Sequence, residues 1–129
     1  MPSQSDPQQK EKELIAELVI NMPLYSKARP RVTTRGVFMP ADYRKKQKEM
    51  LRQVQEQWPW PPLEGPIRVE IEVQGEGRAD GDNIIGALFD SVNKVLWVDD
   101  RVSIIPQLEV KWTKAKKDES KWVIKIYAV

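Results

Sequence analysis

The apolar pattern changes period once, between residues 67 and 95, and that change dictates how the chain must run. Ile67, Val69, Ile71 and Val73 alternate with Arg68, Glu70, Glu72 and Gln74, the period of two expected of a half-buried strand. Gly75 and Gly77 loosen its end. Beyond them Ile84, Ile85, Leu88, Val92 and Val95 fall at helical spacing on one face, so the strand feeds an amphipathic helix of about three turns that Asn93 and Lys94 can end. Carboxylates bracket this helix: Asp80 and Asp82 before it, Asp99 and Asp100 after it.

In an extended segment, side chains two apart point the same way, so Asp80 and Asp82 can converge ahead of the helix. Asp82 also suits the N-cap. A helix of about 12 residues rises roughly 18 Å, and an extended return from Val95 to Asp100 covers roughly 20 Å, so Asp100 can rejoin the first pair. Three carboxylates meeting there repel one another when ionised. With no histidine or cysteine in the chain, their natural neutraliser is a hard, oxygen-seeking cation, Mg²⁺ or Mn²⁺. The same residues also read as a solvated Asp/Gly/Asn turn in which Asp82 only caps and Asp99-Asp100 only opens a bend. Spacing leaves both readings open.

The absence of histidine removes the Ser-His triad and histidine-metal nucleases together, leaving carboxylate and metal chemistry as the main catalytic option. The absence of cysteine excludes disulfides and thiolate nucleophiles and suits a reducing, cytoplasmic setting. At 129 residues the chain is expected to be one domain over residues 14–129, after a polar, disordered tail at 1–13. No apolar run approaches the roughly 20 residues of a membrane span, and no signal peptide opens the chain. Net charge is only +2, but Lys27, Arg29, Arg31, Arg35, Arg44, Lys45, Lys46, Lys48 and Arg52 share one stretch whose only acids are Asp42 and Glu49.

Elsewhere, Leu14 to Met22 reads as a strand stopped by Pro23, and residues 23–40 as a loop with a short strand at Val37 to Met39. In that loop Lys27, Arg29 and Arg31 alternate, so an extended backbone aims all three at one surface, suited either to phosphates or to solvent. Ala41 to Gln57 reads as a helix with Tyr43, Met50, Leu51, Val54 and Trp58 on one face and Lys45 and Lys46 mainly off it. Leu108, Val110 and Trp112, then Trp122, Ile124 and Ile126, alternate as two antiparallel strands with a solvated hairpin tip at Lys114 to Ser120. The expected class is α+β: a single domain with a mixed or mainly antiparallel sheet and two main helices.

The pattern Asp80-x-Asp82-Asn83, an Ile/Ala/Leu/Phe-rich helix carrying Phe89-Asp90, and Leu96-Trp97-Val98-Asp99-Asp100 resembles the RusA family of Holliday junction resolvases. Met22-Pro23 through Lys27-Ala28-Arg29-Pro30-Arg31, followed by Met39-Pro40 and Tyr43, is similar to the same family's basic motif. The resemblance implies a homodimeric, Mg²⁺-dependent endodeoxyribonuclease that cuts four-way DNA junctions. Asp80, Asp82 and Asp100 would then be its catalytic, metal-binding carboxylates and Asp99 an outer participant. It implies DNA contacts from Lys27, Arg29, Arg31, Arg35, Lys45 and Lys46. One departure stands out: the family carries a lysine four residues after the second aspartate, and this chain has Gly86. A branched-DNA binding protein with weak or lost cleavage is the alternative that this departure raises.

Overall fold

The computed structural model describes residues 13–28 and 31–129; residues 1–12 of the tail expected at 1–13, and the pair Arg29-Pro30, lie outside them. Six strands and two α-helices follow in the order β1 (Leu14–Ile20), β2 (Arg31–Thr33), β3 (Gly36–Phe38), α1 (Ala41–Gln57), β4 (Ile67–Gly75), α2 (Gly81–Val92), β5 (Gln107–Lys114) and β6 (Lys121–Ala128). The α+β class with two main helices is borne out. β2 and β3 form a separate hairpin, and the other four strands make one mixed sheet in the order β1-β6-β4-β5.

β4 runs antiparallel to β6, with Ile71 opposite Ile124, and parallel to β5, with Ile71 beside Val110. The expected β5–β6 hairpin is therefore corrected: the two strands flank β4 and do not pair. Alternation could not reveal this, because a period of two is the same whichever neighbour a strand takes. Parallel neighbours need a crossover, and α2 supplies it. The Ala115 amide donates to the Gly75 carbonyl (3.0 Å) where the chain passes the end of β4 on its way to β6.

One face of the sheet is apolar. Val69, Ile71, Trp122, Ile124 and Ile126 lie buried with Leu18 and Ile20 against Met50 and Val54 of α1 and Ala87, Leu88 and Val92 of α2. Each fully buried aliphatic side chain of this kind contributes roughly 1.5–3 kcal/mol. The opposite face is polar, where Arg68 donates to Glu70 (2.8 Å) and to Glu109 on β5 (2.9 Å). β1 is tied to α1 through amides as well: Gln53 and Gln57 accept from the backbone N–H of Asn21 and Val19 and donate back to their carbonyls. No helix among the described residues is long and apolar enough to cross a membrane.

The Tyr25 hydroxyl shares a 2.7 Å hydrogen bond with Ser91 in the core, and Tyr43 stands edge-on to it at 5.9 Å. Burial, reinforced by the Asp90 charge, pushes both phenols from 10.0 up to about 12. The folded state thus keeps protons that the unfolded chain releases near 10, a contribution fully present below pH 10 and lost as pH rises toward about 12. Urea midpoints measured between pH 9 and 11.5 should fall across this window, and the Tyr25→Phe/Tyr43→Phe double variant should show a shallower fall.

Candidate functional site

The segment that leaves β4 turns sharply before α2. Gly77 has φ of 82° and lies so close under the Trp112 ring that a Cβ there would collide with it, so the turn needs glycine. Asp80 is the N-cap of α2, correcting the expectation that Asp82 caps: its carbonyl accepts from the amides of Asn83 and Ile84, both at 3.1 Å. Its carboxylate makes no capping bond. Asp82 sits in the first helical turn, so helix geometry, not an extended strand, sets the spacing of the pair. Both side chains are exposed at a helix N-terminus, where backbone N–H groups favour negative charge.

Lys27 straps this helix. Its amide donates to the Asn83 carbonyl at 2.8 Å, and its ammonium reaches Asp90 at 3.5 Å. Between these anchors the aliphatic stem passes over Gly86, where an added Cβ would meet Lys27 Cδ at 3.4 Å. The space that a side chain at position 86 would begin to fill is thus lined by Lys27. Tyr43 also donates to Asp90, at 3.4 Å, tying α1 to the same point.

Asp100 lies elsewhere. α2 ends at the C-cap Asn93, and Lys94, with φ of 71°, turns the chain so that its amide donates to the Trp97 carbonyl. Val98 then donates to the Leu63 carbonyl (3.0 Å) and Ile67 to the Ile104 carbonyl (2.9 Å), so the segment carrying Asp99 and Asp100 is stitched to the start of β4. Asp80 and Asp82 follow the end of that strand. The nine residues of β4 and the twelve of α2 separate the two places by the length of the crossover, about 18 Å along the helix. The expected extended return from Val95 does not occur, because residues 93–97 bond locally and Leu96 and Val98 pair with Leu63 instead of retracing the helix. Among the described residues no three acidic, histidine or cysteine side chains stand together as a metal-holding group.

Asp99 accepts from the Asp100 amide at 2.7 Å and from the Arg101 guanidinium at 2.8 Å; the Arg101 bond, chiefly, holds its carboxyl below the usual range. The basic residues fall into three groups. Arg31 and Arg35 belong to the β2–β3 hairpin, whose Val32 and Val37 are exposed. Lys45 and Lys46 lie on α1, where Lys46 pairs with Asp42 at 3.2 Å. A third group escaped sequence reasoning: Arg78, in the turn before Asp80, shares a cleft with Lys114 and Lys116, whose walls also carry Glu76 and Glu119. The lysines looked like a distant hairpin tip, and only the parallel pairing of β5 with β4 carries them to the Asp80 end.

A family model described as endodeoxyribonuclease RusA matches residues 21–127, a span that contains both motifs and every proposed carboxylate. No curated protein matches the chain.

Proposed function

This chain belongs to the RusA endodeoxyribonuclease family, and from that premise we propose that it is a divalent-metal-dependent nuclease of four-way DNA junctions whose site is shared between two copies. The observation that carries the reading is the exposed pair Asp80 and Asp82 at the start of α2, with Asp100 at the opposite end of the crossover. A single chain does not fit a three-carboxylate metal site. Two copies related by a two-fold axis do, if each lends its Asp100 to the Asp80 and Asp82 of the other. The donor set is all oxygen, which suits Mg²⁺ or Mn²⁺. Bound there, such an ion would supply positive charge against the scissile phosphate and lower the pKa of the attacking water.

The chain's own groups do the rest. The free N–H groups at the start of α2 favour an anionic phosphate oxygen beside the carboxylates. Arg78, Lys114 and Lys116 neutralise the backbone on the same side, and Arg31 and Arg35 extend the contact along the hairpin. Lys27 takes the part of the absent helix lysine: released from Asp90, its ammonium can turn toward the helix N-terminus from a stem already lying over Gly86. A four-way junction is close to two-fold symmetric, so two equivalent sites would cut opposed strands.

Complementation tests the shared site. Asp80→Asn and Asp100→Asn should each abolish Mg²⁺-dependent cutting of a labelled junction while junction binding persists. Mixed, they should regain nicking, because one of the two sites in a heterodimer then holds every native carboxylate, roughly a quarter of all sites after random exchange. A site within one chain gives no recovery. Should the native chain bind junctions salt-dependently but never cut them with Mg²⁺ or Mn²⁺ present, it is a binding protein.

The role of Lys27 has its own readout. Lys27→Ala should lower the single-turnover rate about 10²-fold at saturating metal, the scale of one lost electrostatic donor. Gly86→Lys in the Lys27→Ala background should recover part of that loss. Equal rates in Lys27→Ala and the parent would assign Lys27 to structure alone.

A further inference from the structure

β5 is an edge strand exposed along its whole length, although Leu108, Val110 and Trp112 lie beside the buried Val69, Ile71 and Val73 of β4 on the apolar face. They are 44%, 43% and 51% exposed, so the apolar face continues past the helices that cover it elsewhere. Among the described residues no strand lies on its outer side, and a long apolar edge strand calls for a strand beside it.

We propose that a second copy of this chain supplies it, with β5 pairing antiparallel to its own symmetry mate about a two-fold axis at Val110. The proposal rests on the two-copy reading of the site and names the surface that makes it. The strand is self-complementary in that register. Val110 meets Val110, Leu108 meets Trp112 on the apolar face, and Glu109 meets Lys111 on the polar face, twice by symmetry. A shift by two residues loses the charge match, setting Glu109 against Glu109 or Lys111 against Lys111.

The direction of pairing also answers the separation of the carboxylates. β5 runs from the Asp100 end of the molecule to the Asp80 end, so reversing it in the partner sets each Asp80 end beside a partner Asp100 end. Two features of these ends agree. Trp112 lies over Gly77, on the turn that leads to Asp80, and so links the edge strand to the metal-binding turn. Val102, in the same segment as Asp100, is 82% exposed in one copy and is carried toward the partner's turn.

Charge exchange tests the register without DNA or metal, by sedimentation equilibrium. The native chain should be a dimer. Glu109→Lys sets lysines against lysines and Lys111→Glu sets glutamates against glutamates, and each should weaken self-association about tenfold or more. The mixture of the two variants should form heterodimers, since every 109–111 contact between the two copies is then complementary, and the double variant should dimerise as the native chain does. A monomeric native chain, unchanged dissociation constants in both single variants, or no recovery in either the mixture or the double variant would overturn the proposal. Because no cleavage is read, a shared site assembled through another surface would still pass the complementation assay while failing here.

Discussion

The parallel register of β4 and β5 governs everything that matters for the site. Antiparallel neighbours can be joined at one end by a tight turn; parallel neighbours cannot, and the chain must travel the full length of the strand before the next can begin. α2 makes that journey, buried through Ile84, Ala87, Leu88 and Val92 on the apolar face. Residues before it and after it are thereby held at opposite ends of the domain. The carboxylates that a metal site would need are divided by the element that gives the domain its core.

Rigidity at the Asp80 end comes from several independent ties. The Asp80 carbonyl receives two helix amides, Lys27 donates to the Asn83 carbonyl, and Trp112 lies over Gly77. The strap from Met22 to Lys27 is itself anchored by Tyr25, whose hydroxyl bonds Ser91 inside the core. A cation delivered from this strap is held by a segment packed across the helix, whereas a lysine at position 86 would be delivered by the helix itself. Gly86 and Lys27 share one space: with no side chain at position 86, the Lys27 stem lies over the helix there.

Much of this was legible in the residues. The alternation of Ile67 to Val73 and the helical spacing of Ile84, Leu88 and Val92 specified β4 and α2, because burial on one face imposes a period. Asn93 and Lys94 marked the end of α2 correctly. Pairing partners were not legible, since Leu108, Val110 and Trp112 alternate identically beside β4 or β6. Their exposure was hidden for the same reason: an apolar alternation does not say whether the face it makes is covered by its own chain or by another. The error about Asp100 was one of path length. Val95 to Asp100 is long enough to return along the helix, but reach gives only a bound. The backbone bonds from Lys94 to Trp97 and from Val98 to Leu63 were not visible in spacing.

The central claim is that Asp80 of one copy and Asp100 of another face each other, and proximity can be measured without activity. The chain has no cysteine, so Ala79→Cys with Arg101→Cys introduces the only two thiols, each next to a proposed ligand. Within one chain these positions are separated by the length of α2, about 18 Å, beyond the span of a short bismaleimide. Cross-linking at low protein concentration followed by denaturing electrophoresis should yield a covalent dimer at twice the 15.0 kDa chain mass, with peptide mapping joining residue 79 of one copy to residue 101 of the other. Linkage of 79 to 101 within a single chain, or a dimer in solution that never joins these two positions, would contradict the account.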